Sequence, residues 1–169
     1  LSMTYLIIGA LVITLGLCWI LKLPYALGAV VALIHDVFIT VGIFALLNKE
    51  FNLTIVAALL TIVGYSLNDT IIVYDRIREN LRGSRKGDLK DLINRSINQT
   101  LSRTLLTSGT TLVVVLFLFL LGGTVIHDFA FALLVGIIVG TYSSIFIASP
   151  LLIFYEDWAA AKGIAKRRA

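Results

Sequence analysis

Charge is scarce in this chain: only 14% of its 169 residues are Asp, Glu, Lys or Arg, against 59% hydrophobic ones. A soluble domain carries about a quarter charged residues. With a mean hydropathy of +0.97, a water-exposed globular fold is excluded and a polytopic membrane protein is indicated. Cysteine is nearly lacking as well. Cys18 is the only one and sits in an apolar run, so no disulfide framework or cysteine metal site can form within the chain, and no cofactor motif is present. The chain opens at Leu1 with neither a start Met nor the charged leader of a signal peptide, so a further part upstream is expected.

What is there in place of charge is length of apolar run. Five stretches, at about 3–21, 26–47, 53–74, 104–121 and 129–155, fall near the ~17–25 residues that a bilayer core requires, the last being long enough to tilt. Backbone groups in hydrocarbon must be satisfied within the segment, which selects helices. The expected fold is an all-α integral membrane protein, a five-helix transmembrane bundle over residues 1–155, with a basic tail at 156–169.

The Lys and Arg residues then set the orientation. If all five stretches span, 13 of the 14 lie on one side: Lys22, the eight from Arg76 to Arg103, and Lys162, Lys166, Arg167 and Arg168. Lys49 stands alone on the other. The positive-inside rule makes the 75–102 connection and the C-terminal tail cytoplasmic. Within that connection a turn is expected at 83–87, with Asp88 capping a helix in which Leu89, Leu92, Ile93, Ile97 and Leu101 recur at helical spacing. Such an amphipathic helix is expected to lie at the cytoplasmic membrane surface against lipid and run into the fourth span. Its basic residues lack the aromatic interleaving of a nucleic-acid binder and read as a headgroup-facing surface, so no nucleic acid is expected as a partner. The opposite connections, 48–52 and 122–128, are short and make antiparallel hairpins of the second and third spans and of the fourth and fifth.

Two carboxylates interrupt the apolar runs. Asp36, preceded by His35, lies mid-span, and Asp69, preceded by Asn68, lies in the inner half of the third span. A central charged Asp facing lipid costs about 2.5–3.5 kcal/mol, so both are expected to face protein or a hydrated cavity. Arg103, at the entry to the fourth span, is the candidate partner for Asp69. It shares a helix face with Thr107, Thr110 and Thr111, with Gln99 a turn earlier, while Thr61, Gly64, Asn68 and Asp69 share a face on the third span. Two such stripes meeting would form a hydrated track. Ser108, Thr110 and Thr111 are expected to hydrogen-bond to their own backbone. On the last span Ala132, Gly136, Gly140, Ser144 and Ala148 form a ridge of small residues, a surface for close helix packing.

The stretches Gly64-Tyr-Ser-Leu-Asn-Asp-Thr70 and Val73-Tyr-Asp-Arg-Ile-Arg-Glu-Asn80 resemble the SecF family of bacterial protein export. So do Ala26-Leu-Gly-Ala-Val-Val-Ala-Leu-Ile-His-Asp36, Asn98 to Thr111 and Gly140-Thr-Tyr-Ser-Ser144. The family's first helix and the exported domain after it are not matched, and Lys22-Leu-Pro-Tyr25 stands where the family has a more aromatic and basic inner turn. The resemblance implies half of a resistance-nodulation-division type transporter core in the inner membrane, with SecD supplying the other half. It also implies a non-enzymatic role in which proton flow draws preproteins from the SecYEG channel after SecA has pushed them in, with YajC as an accessory partner. Asp69 and Arg103 match the family's proton-pathway residues, and a SecD carboxylate would complete the site. Asn68, Asp36 and Thr107 are the further candidates, and sodium is the alternative coupling ion.

Two other readings stand beside this one. A purely structural subunit would use an Asp69–Arg103 pair to hold helix register, and an intramembrane aspartyl protease would use Asp36 and Asp69 as a dyad. The orientation itself is directly testable. In a Cys18→Ser background, Ser84→Cys should react with an impermeant maleimide only from the cytoplasmic side and Asn48→Cys only from the other; the reverse pattern overturns it.

Overall fold

The computed structural model describes Gly16, 23–83 and 89–161 of the chain. Among these residues the regular structure is helical throughout. Helices α1 (Leu23–Leu46), α2 (Leu53–Gly83), α3 (Leu89–Leu121) and α4 (Gly123–Ser143) are followed by a π-helical turn (Ser144–Ala148) and α5 (Ser149–Ala161). Four segments are long and apolar enough to cross a membrane, the last running from Gly123 through the π turn to Tyr155. The expected span 3–21, Lys22, the residues of the 83–87 turn after Gly83, the Asp88 cap and the basic residues from Lys162 onward lie outside the described residues.

Local chemistry accounts for the breaks. Helix α1 stops at Asn48, whose φ of 50 lies in the left-handed region that ends helices. The Asn52 side chain then accepts from the Ile55 backbone N–H at 3.1 Å, an N-cap that starts α2. Between α3 and α4 the chain needs only a pair of glycines. Gly122 donates its N–H to Leu118 O at 2.8 Å, a Cβ there would collide with that same carbonyl, and Gly123 takes φ +73. The expected 122–128 connection is therefore corrected to a single residue, because a glycine turn reverses the chain without a loop. Pro150 explains the π turn, since it offers no N–H to the preceding turn and its ring displaces a carbonyl. Ser149 makes up part of the loss by donating its hydroxyl to Ser144 O at 3.3 Å.

The 75–102 connection is also corrected. Residues up to Gly83 continue α2 and those from Leu89 run without a break into the fourth span as α3, as expected, but they pack on α2 as part of one long helix and do not form a separate element. The apolar side chains Leu89, Leu92, Ile93 and Ile97 pack into the core around Val73, Tyr74 and Ile77. Polar contacts zip the two extensions together: Arg76 Nε donates to Gln99 Oε1 at 2.7 Å and Asn80 Nδ2 to Ser96 Oγ at 2.8 Å. This start of α3 buries its apolar face against α2 while Asp91, Asn94, Arg95 and Asn98 stay exposed on the other side. The start of the expected tail, at 156–161, likewise continues α5.

Helix α4 sits at the centre, packed against α1, α2 and α3. All five members of the small-residue ridge are buried. A Cβ on Gly136 would overlap the Ile62 side chain of α2, and one on Gly140 would stand 3.1 Å from Ser66 Cβ. Two apolar cores flank a polar layer. One gathers Tyr25, Tyr74 and Leu152, and the other gathers Phe44, Ile62 and Val115. Tyr74 closes the first by donating its hydroxyl to Ala148 O, in the π turn, at 2.7 Å. Large apolar side chains such as Phe38 and Leu106 face outward, as a bilayer allows. Gly136→Ala should destabilise the protein by about 1–3 kcal/mol through overpacking in detergent-phase thermal unfolding, and by much less in an Ile62→Ala background. Equal costs in the two backgrounds would remove Ile62 as the contact.

Candidate functional site

The polar layer begins with Asp36, which α1 carries into complete burial. Ser66 of α2 donates its hydroxyl to Asp36 Oδ2 at 2.5 Å, and His35 Nδ1 stands 3.1 Å from Oδ1. Thr40 returns its hydroxyl to the Asp36 backbone carbonyl at 2.8 Å. Gly140 belongs to the same cluster, because a Cβ there would lie 3.3 Å from Ser66 Oγ and 3.6 Å from Asp36 Oδ2. Three helices thus meet on one carboxyl group.

Three residues beyond Ser66 on the same helix face stands Asp69, only 2% exposed. Ser108 of α3 donates to Asp69 Oδ2 at 3.3 Å, and Thr141 of α4 donates to Ser108 Oγ at 2.9 Å. The hydroxyl of Thr104, one turn from Ser108, is the one buried side-chain polar atom without a partner among the described residues.

The structure does not bring Arg103 onto Asp69. Pairs Tyr65–Thr111, Asp69–Ser108, Arg76–Gln99 and Asn80–Ser96 define an antiparallel register in which Arg103 comes level with Val73. That places it about one turn, ~6 Å, along α2 from Asp69. Five residues also separate it from Ser108, which turns it to a different side of α3 from the hydroxyl that meets Asp69. Arg103 is exposed, its charge acts on Asp69, and no ion pair joins the two among the described residues. It lines instead an open polar cleft of about 290 Å³ with Ile72, Asp75, Arg76, Glu79, Gln99 and Thr100.

The stripe expected on α2 is divided in the same way. Thr61, Gly64 and Asn68 are exposed while Asp69 is buried, and the exposed line continues through Asp75 and Glu79 to the cleft. The Asn68 side chain makes no hydrogen bond among the described residues. Thr107 is exposed and bonds to the backbone, donating to Arg103 O and Thr104 O, both at 3.0 Å. Thr110 and Thr111 also donate to their own helix. Ser108 departs from that expectation, since its hydroxyl crosses to Asp69.

Sequence reasoning missed Ser66, Ser108 as an interhelical donor, and Thr141. The signal was available for two of them: Ser66 precedes Asp69 by one turn, and Thr141 adjoins the ridge glycine Gly140. It also missed the clasp at the far end, where Lys49 Nζ meets Asp128 Oδ1 at 2.6 Å and lies 5.3 Å from the Phe131 ring centre. His127 Nδ1 stands 3.2 Å from the same carboxylate oxygen.

Comparisons with known proteins agree on one family. Residues 2–158 match the model of "Protein export membrane protein SecD/SecF, C-terminal". The chain is 64% identical over 126 residues to the protein translocase subunit SecF of Vibrio alginolyticus, covering 75% of this chain and 40% of that one. It is 53% identical over 165 residues to the SecF of Rhodothermus marinus, covering 94% and 54%. A crystal structure of SecDF in a super-membrane-facing form is similar at a TM-score of 0.88 and 47% identity, over 93% of this chain and 21% of that one. The SecDF of Thermus thermophilus gives 0.87 and 48% over 90% and 21%. The chain thus spans about half of these SecF relatives, and as little as 36% of the one from Koribacter versatilis.

Removing the Ser66 hydroxyl would leave the Asp36 carboxyl without its closest partner in a fully buried position. Ser66→Ala should therefore cost about 1–3 kcal/mol in thermal unfolding, and unchanged stability would reduce that contact to a bystander.

Proposed function

The chain belongs to the SecD/SecF C-terminal family of protein export membrane proteins, and from that membership we propose that it is the membrane part of a SecF subunit. With SecD it would use the proton motive force to move preproteins through the SecYEG channel, after SecA, across the inner membrane, with YajC as an accessory. It would work as a transporter subunit and not as an enzyme.

The observation that carries this reading is a buried carboxylate set behind an exposed polar face. Asp69 is enclosed and held by one hydroxyl, while Asn68, Thr107 and Arg103 lie exposed in front of it. Polar side chains at membrane depth cannot be left to lipid. They call for a partner or water, and the line of Ala57, Thr61, Gly64 and Asn68, small or polar and all exposed, suits close approach by a second helix. SecD is that partner, contributing a carboxylate opposite Arg103. Protons would then reach Asp69 by way of Arg103, Asn68 and Thr107, with Asp36 as a second, fully enclosed carboxyl. A charge crossing 100 mV releases about 2.3 kcal/mol, enough to bias a two-state rocking of one half against the other. Sodium would suit the same oxygen-rich site. In this reading 3–21 is a fifth span, the bundle is half of a resistance-nodulation-division core, and the cleft with the Arg76–Gln99 zipper faces the cytoplasm.

The competing readings lose their supports. Asp36 and Asp69 engage different hydroxyls, Ser66 and Ser108, whereas a protease dyad needs contact at about 3 Å. A register-holding role would need an Asp69–Arg103 ion pair, and none forms among the described residues. The test is Asp69→Asn in the full-length subunit reconstituted with SecD. Proton conductance and export stimulation should fall to the level of membranes lacking the complex, with insertion and SecD binding retained. Wild-type export in that variant overturns the proposal.

A further inference from the structure

Apart from Thr104, whose hydroxyl has no partner among the described residues, the hydroxyls around Asp69 on α3 behave in two ways. Thr107, Thr110 and Thr111 donate to carbonyls of their own helix, the usual habit of a hydroxyl in a membrane helix. Ser108 breaks the habit and donates to Asp69. Its own lone pair is taken by Thr141 of α4. A hydroxyl has one proton to give, so a donor arriving on the oxygen leaves that proton to point elsewhere. Here it points at the carboxylate, and each bond polarises the next.

From this geometry we propose that Ser108 and Thr141 are positioning residues for Asp69, an oriented hydroxyl chain that stabilises its ionised form and so sets the pH at which it takes up a proton. The inference rests on the reading of Asp69 as the proton-binding group. A hydrogen bond to the charged form of a carboxyl favours that form, so losing the chain must make protonation easier, at higher pH. Burial acts on Asp69 before any single neighbour does, and the charged groups around it are few. On α3 the charge that reaches it is Arg103; α4 brings only the Thr141 hydroxyl; Asp36 of α1 is occupied by Ser66 and His35. On α2 itself the neighbouring Asn68 is neutral, and Asp75 lies out at the cleft. Ser108 is 3% exposed, which shields the bond from competing water. Thr141 also anchors the chain to the point where α4 leaves regular geometry, because its carbonyl accepts from Ser144 Oγ at 3.0 Å at the start of the π turn.

The test uses the full-length subunit reconstituted with its partner in liposomes, following by infrared difference spectroscopy the carboxyl band that Asp69→Asn removes, as a function of pH. Ser108→Ala should move its midpoint to higher pH. Ser108→Thr, which keeps the donor, should restore it. Thr141→Val, which keeps the shape, should shift it in the same direction by less, and Thr141→Ser should restore it. If Ser108→Ala disturbs folding, Ser108→Cys supplies a weak donor of similar size and should give an intermediate midpoint. Wild-type midpoints in Ser108→Ala and Thr141→Val overturn the hydroxyl chain while leaving Asp69 as the proton site. A titration unaltered by Asp69→Asn, with export retained, overturns instead the reading on which the chain rests.

Discussion

The bundle depends on the close approach of α2 to α4. In hydrocarbon there is no hydrophobic drive to hold helices together, so packing and hydrogen bonds must do it. Gly136 admits Ile62, and one turn on Gly140 admits Ser66. The seating of Ser66 fixes the depth of Asp36, to which it donates. It also fixes Asp69, three residues further along the same helix. Thr141 adjoins Gly140, so the same seam aims Thr141 at Ser108. A larger side chain in either glycine would move several partners at once.

Asp36 and Asp69 are both carboxyls at membrane depth, yet the fold treats them differently. Asp36 is sealed by α1, α2 and α4, with a hydroxyl on one oxygen and an imidazole near the other. Its surroundings tie three helices into one crossing. Among the described residues the Asp69 side chain has a single hydrogen bond, to Ser108, and Asn68 and Arg103 beside it are exposed. A group with spare acceptor capacity beside an accessible face can exchange a proton with less rearrangement than one whose oxygens are both engaged.

Much of this was legible in the sequence. Apolar run length located the four described spans, the spacing of small residues marked the face of α4 that packs, and the energetic cost of buried charge singled out Asp36 and Asp69. What the sequence hid is a matter of register. Arg103 and Ser108 lie within two turns on one helix, and only the antiparallel phase set by α2 decides which of them meets Asp69. The 75–102 connection misled because an apolar stripe fits a lipid surface and a neighbouring helix equally well; the polar zipper with Gln99 and Ser96 decides for the helix. The Lys49–Asp128 clasp joins residues 79 apart in sequence, and no local pattern announces such a pair.

Helix α2 runs unbroken for 31 residues, roughly 46 Å at 1.5 Å per residue, against a hydrocarbon core of about 30 Å. The surplus is paired with α3 along Arg76, Asn80, Gln99 and Ser96. Asp69 and the projecting pair therefore belong to one rigid rod. A small twist at the depth of the carboxylate arrives at the far end as a twist of the same size, needing no loop to relay it, and grows with distance if the rod tilts. Nothing flexible lies between the depth of Asp69 and the end of the projecting pair within α2, which is one continuous helix.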